Sequence, residues 1–220
     1  MDAYFTSAFP SDKLPDSSTG FQHAKTQMTG MEQYYEIEKI LEIMNRGGLV
    51  LLPTDTVWSV GCDATDTDAL LRLFNLKKRS VKKSFTILVS SVDMLKRFVP
   101  RLHPRLETLL MYHTRPLTVL YEKTENLPPV LEHEAGTFAI RITLDPFCQQ
   151  LIENFGKPII ASSANVISEP FPTHFGMVSS EIIVGVDYVV RHRQKDKTPA
   201  SPAVMVRLEE DDPELIVVRE

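Results

Sequence analysis

The chain has 220 residues, 43% hydrophobic and 24% charged, which suits a folded domain with a sizeable core and excludes a disordered or fibrous one. Its 24 Lys+Arg stand against 29 Asp+Glu, a net charge of -5, so a protein that coats nucleic acid through its overall field is excluded, though a local basic patch is not. Two cysteines leave no disulfide framework and no CxxC metal site, and no apolar run reaches the roughly 20 residues that span a bilayer, so a reducing, cytoplasmic setting away from the membrane is expected.

In chain order, residues 1–30 are rich in Ser, Thr, Pro, Lys and Gln without a sustained period and read as a flexible leader. The start, MDAYFTSAFP, has neither a basic n-region nor a long apolar stretch. Residues 31–220 read as one domain. From Gln33, the spacing of Tyr34, Ile37, Ile40, Leu41 and Met44 predicts a helix, which Gly47-Gly48 stops. Leu49–Leu52 is a buried strand, interrupted by Pro-Thr-Asp-Thr before a second β-prone run resumes. Thr65 or Asp66 caps a helix with Leu70, Leu73, Phe74 and Leu76 on its apolar face. Phe85–Val89 is a strand, Val92–Val99 and Leu102–Tyr112 are helices, and Leu117–Tyr121 and Phe138–Ile142 are strands. Asp145 caps a helix that stops at Gly156, and Pro158–Ala161 is a further strand. A helix near Val178–Val184 precedes the strands Tyr188–Val190, Val204–Leu208 and Leu215–Val218. Strands interleaved with helices imply a single α/β domain around a twisted, mixed sheet flanked by helices.

Several groups could carry chemistry. Lys77, Lys78, Arg79, Lys82 and Lys83 form a run between a helix and a strand. Such a run is either a solvated cap on the helix dipole or a holder of phosphate, carboxylate or RNA backbone. Ala161-Ser162-Ser163-Ala164-Asn165 follows the strand residues Pro158–Ile160, where small polar residues are turn formers or ligand contacts. Arg141, inside the apolar strand FAIRIT, needs either a structural ion pair or a ligand, because a buried unpaired charge is costly. Thr118 lies in RPLTVLY, and Ser201 stands before a late strand. Asp55 and Asp63 could work as an acid–base pair, and Cys62 could be a nucleophile or simply buried. The six histidines lack ligand spacing, and the phosphate-loop, GxGxxG, GxSxG and HExxH patterns are absent.

Taken in order, these motifs resemble the YrdC family of threonylcarbamoyl-AMP synthases. The resemblance covers about residues 33–219: GGLVLLPTDTVWSVGCDA, Lys77-Lys78-Arg79 with Lys83-Ser84, Pro116-Leu117-Thr118, Ala139-Ile140-Arg141, Ser163-Ala164-Asn165, and Ser201 in SPAVMV. It implies an α/β twist with a concave basic cavity and a nucleotidyltransferase that joins L-threonine, bicarbonate and ATP, with Mg2+ held mainly by nucleotide phosphates. The product, threonylcarbamoyl-AMP, would pass through threonylcarbamoyl-transferase partner proteins to tRNA. By matching positions, Lys77 and Arg79 are the implied catalytic pair. Thr54, Thr56, Lys83, Thr118, Arg141, Ser163, Asn165 and Ser201 are the implied substrate contacts. The chain departs from the family pattern at Trp58-Ser59, Ser80, Ser84-Phe85, Thr114-Arg115, Val166–Glu169 and Pro202–Met205. Those departures keep a second expectation open, an altered relative that binds tRNA, double-stranded RNA or a nucleotide through the cavity.

Overall fold

The computed structural model describes residues 30–78, 85–133, 136–166, 169–208 and 215–219. Helix α1 (Gly30–Met44) turns Ile37, Ile40 and Met44 inward and runs into Gly48. A Cβ at Gly48 would stand 2.3 Å from Ile43 Cγ2 and 2.8 Å from its carbonyl, so the close return of the chain requires glycine there. Strands β1 (Val50–Leu52) and β2 (Ser59–Gly61) form an antiparallel hairpin, with Leu52 opposite Ser59 and the Pro-Thr-Asp-Thr segment in the connection. Helix α2 (Thr67–Leu76) starts on Asp66, whose carboxylate accepts from the amides of Asp68 and Ala69.

Strand β3 (Thr86–Val89) leads into α3 (Val92–Lys96) and α4 (Pro104–Tyr112). Strands β4 (Leu117–Tyr121) and β5 (Phe138–Ile142) pair antiparallel, placing Thr118 beside Arg141. Helix α5 (Pro146–Phe155) has the Asp145 cap, proline in its first turn and Gly156 left-handed at φ 70° at its end. Strand β6 (Ile159–Ser163), α6 (Ser180–Gly185), β7 (Tyr188–Val189), β8 (Val204–Leu208) and β9 (Leu215–Arg219) complete the described strands and α-helices.

Nine strands form one sheet among the described residues, in the order β7-β1-β2-β6-β3-β5-β4-β8-β9. β6 is antiparallel to both β2 and β3, whereas β3–β5, β4–β8 and β1–β7 are parallel, so the sheet is mixed. Helices cover it: α1 packs on β1 and α5, α5 on β3, and α3 on β3 and α4. The expected single α/β domain with a twisted mixed sheet is the architecture found.

Element boundaries differ from the sequence reading for local reasons. α1 begins at Gly30 rather than Gln33, because its first turn is exposed and contributes nothing to an apolar period. α3 ends at Lys96 rather than Val99, since the amides of Arg97 and Phe98 bond three residues back and tighten the last turn. α4 starts at Pro104 instead of Leu102, where His103 Nδ1 accepts from the Arg105 amide. α6 starts at Ser180 and β7 stops at Val189. The expected leader falls almost wholly outside the described residues.

Candidate active site

The β1–β2 connection is a buried polar loop whose hydroxyls order one another. Thr54 Oγ1 accepts from the Thr56 amide at 3.0 Å and donates to the Val57 carbonyl at 3.0 Å. Its single proton is thereby spent, so the 2.9 Å contact between the two threonine hydroxyls has Thr56 as donor. Arg141 Nη2 in turn donates to Thr56 Oγ1 at 3.2 Å. The proton order runs Arg141, Thr56, Thr54, Val57. A ligand oxygen that takes the Thr56 proton must displace Thr54 as acceptor.

Asp55, between the two threonines, ties the loop to β5 and the residues that follow it. Its Oδ2 accepts from the Leu144 amide at 3.1 Å, and its Oδ1 stands 3.2 Å from Arg141 Nη2, both side chains being almost fully buried. Asp63 has separate partners: Oδ1 accepts from the Thr65 amide and hydroxyl, and Oδ2 meets Lys157 Nζ at 2.7 Å. The two carboxylates are therefore two structural anchors and not an acid–base pair. Burial pushes the Cys62 thiol well up, with Asp63 adding to the shift, and burial does the same to Cys148. Neither is a thiolate nucleophile near neutral pH.

Across from this loop, the segment before β8 closes a cavity of about 410 Å³. Thr56 and Ser201 both line it, together with Asp55, Arg115, Arg193 and Asp196. Two arginines face two aspartates there, so among the described residues the lining is mixed in charge, where a basic cavity was expected. Thr54 borders an adjoining recess with Thr56 and Trp58. Thr118 and Arg141 lie beneath, buried in neighbouring strands, and neither is among the cavity-lining residues.

A second group of expected residues gathers at the end of α2. Lys77, its C-cap residue, is only 3% exposed. Its Nζ donates to the carbonyl oxygens of Ser163 and Asn165, and to Asn165 Oδ1 at 3.3 Å. Ser163 Oγ donates to the same Asn165 Oδ1 at 2.6 Å, and Asn165 Nδ2 donates to the Glu169 carbonyl at 2.7 Å. Lys77, Ser163 and Asn165 thus meet one another, apart from the lining of the 410 Å³ cavity. β2 joins the two groups: Ser59 pairs with Ser163, and the Trp58 carbonyl accepts from the Ala164 amide at 2.7 Å. The Trp58 ring packs on Phe175 with centroids 4.9 Å apart. Arg79 and Lys83 lie outside the described residues.

Sequence reasoning missed two charged groups. Arg193 Nη1 donates to Asp145 Oδ2 at 2.6 Å and to the Thr54 carbonyl at 3.2 Å. Buried Glu36 on α1 accepts from the Arg191 and His192 amides and from the Tyr188 hydroxyl. A signal existed for Glu36, an acid four residues before Ile40 and eight before Met44, on the inward stripe. Arg193 had none beyond the cations of RHRQK.

The Sua5/YciO/YrdC family model, described as telomere recombination, matches residues 42–220. The chain belongs to this family. Among its relatives, the threonylcarbamoyl-AMP synthase of Xanthomonas euvesicatoria is 29% identical over 163 residues, 73% of this chain and 87% of that protein. A structure of a P. abyssi Sua5 variant superposes with a TM-score of 0.75 at 25% identity, covering 86% of this chain and 56% of that one. P. abyssi Sua5 complexed with L-threonine gives 0.74 at 24% identity, covering 86% and 54%. The chain thus spans about half the length of that Sua5. Among the described residues of this Sua5/YciO/YrdC member, no helix is long and apolar enough to cross a membrane.

Proposed function

We propose that this Sua5/YciO/YrdC member is an L-threonylcarbamoyladenylate synthase. The observation that carries the reading is the 410 Å³ cavity that Asp55 and Thr56 of the Pro-Thr-Asp-Thr loop line together with Ser201. Family membership and curated relatives named for this activity support it. In the proposed reaction the threonine amine attacks the bicarbonate carbon, and water leaves to give a carbamate. A carbamate oxygen attacks the α-phosphorus of ATP, the bond to the β-phosphate breaks, and pyrophosphate leaves with the bonding electrons.

That chemistry asks for positioning and charge neutralisation more than for a covalent nucleophile. Thr54 and Thr56 would orient the amino acid and its carbamate. Lys77, Arg79 and Lys83 would answer the phosphates, with Ser163, Asn165 and Ser201 completing the nucleotide contacts. Arg141 and Thr118 would act from beneath, Arg141 by holding Thr56 at 3.2 Å. Magnesium would travel mainly on nucleotide oxygens. The adenylate would then be consumed by a transferase that modifies adenosine in tRNA.

The test is incubation with ATP, L-threonine and bicarbonate, with mass spectrometry for the mixed anhydride. Pyrophosphate release that needs both L-threonine and bicarbonate is expected. No adenylate at high enzyme concentration overturns the synthase. Salt-sensitive RNA binding in that case would favour the altered relative instead.

A further inference from the structure

The segment after β7 is held more firmly than a surface connection needs to be. Glu36 fixes its path with three bonds, at 2.6 Å to the Arg191 amide, 3.2 Å to the His192 amide and 3.1 Å to the Tyr188 hydroxyl. The His192 ring stacks on Phe147 at 4.8 Å. The next residue, Arg193, adopts φ 63°, a left-handed conformation that side-chain-bearing residues rarely take. Left-handed backbone at a non-glycine residue is concentrated where the surroundings impose it for a purpose.

The purpose is legible in where the guanidinium goes. Nη1 is taken by Asp145 Oδ2 at 2.6 Å and the Thr54 carbonyl at 3.2 Å, and Nε stands 3.8 Å from Asp196 Oδ2. Nη2 donates to none of the described residues, and the side chain is 33% exposed. The group borders both the 410 Å³ cavity and the narrow recess of about 10 Å³ that Thr54, Thr56 and Trp58 help to line. It therefore stands where the two spaces meet. Arg141 is placed differently, at 6% side-chain exposure against Asp55 and Thr56 and away from the lining.

We propose that Arg193 is a substrate-contacting residue: braced through Nη1 by Asp145 and the Thr54 carbonyl, it donates through Nη2 to a substrate oxyanion at the junction of recess and cavity. The proposal rests on the synthase reading of the same site. The ligand chemistry is an oxyanion presented to one edge of a planar guanidinium fork, which a phosphate oxygen or an amino-acid carboxylate supplies equally well. The fork can serve the brace and the ligand at once because its two terminal nitrogens diverge.

Isothermal titration calorimetry decides it, with magnesium ATP alone and L-threonine alone, on wild type, Arg193→Gln and Arg193→Gly. Glycine tolerates φ 63° without cost, so it removes the side chain without forcing the turn and carries the test should the glutamine variant fail to fold. Loss of one charge-assisted bond is expected to weaken one ligand by about 10-fold or more. A loss confined to magnesium ATP identifies a phosphate oxygen, and a loss confined to L-threonine identifies the carboxylate. Folded variants that bind both ligands as wild type does overturn the role of Arg193 and leave the synthase reading standing. Wild-type protein that binds neither ligand overturns both.

Discussion

Lys77 and Arg141 are both buried cations at sites expected to meet substrate, and the partners described for them differ in charge. Arg141, in the sheet interior, has its charge answered by the Asp55 carboxylate at 3.2 Å and by the Thr56 hydroxyl. The oxygens that Lys77 meets at Ser163 and Asn165 are neutral. A cation held by a carboxylate is half of a pair, and losing it strands the other half. Removing Lys77 takes a donor from the Ser163 and Asn165 oxygens, which are polar groups with no charge of their own.

The largest expected effect follows from the paired case. Arg141→Leu leaves the Asp55 carboxylate without its cation in a site almost closed to solvent, and should cost about 3–5 kcal/mol of stability by urea denaturation. Asp55→Asn combined with Arg141→Leu should recover a large part of that loss, since the stranded charge is gone. Equal stabilities for the single and double variants would show that charge pairing is not what the loop depends on.

Next in size is Lys77→Met, which deprives the Ser163 and Asn165 oxygens of a buried donor and should cost about 1–3 kcal/mol. The same denaturation series must rank it below Arg141→Leu, and a reversed order would break the distinction drawn above. Thr56→Val is smaller again, at about 1 kcal/mol. It removes the hydroxyl that Arg141 donates to, while Thr54 keeps its bonds to the Thr56 amide and the Val57 carbonyl. A cost near that of Arg141→Leu would place the brace in Thr56 rather than in the ion pair.

The fold was legible wherever a local signal coincided with packing. Asp66 and Asp145 sit before apolar stripes and do cap α2 and α5, and Pro-Thr-Asp-Thr broke an apolar run where the β1–β2 hairpin turns. The exposed first turn of α1 carried no period, so its start could not be read. Sequence also could not pair Asp55 with Arg141 or brace Arg193 against Asp145, because spacing along the chain does not report which strands become neighbours. β6 lying between β2 and β3 brings Ser163 to Ser59 by the same long-range route. A left-handed arginine is the extreme case, since no residue preference announces it.

The smallest effect concerns pH and the far side of the Arg193 brace. His192 is half-buried against Phe147, and burial lowers its pKa below 6.5, with Arg193 adding to the shift and Asp145 and Glu36 opposing it. Between that lowered value and 6.5, the unfolded chain binds the proton that the folded chain refuses. Stability therefore rises with pH through this window, levels off above it, and has lost the whole contribution below the folded value. His192→Gln abolishes this contribution. Urea midpoints taken from neutral to mildly acidic pH should fall less steeply in the variant than in wild type. Parallel curves would mean that His192 titrates alike in both states. A steeper fall in the variant would mean that the opposing carboxylates, Asp145 and Glu36, outweigh burial and hold the imidazolium in place.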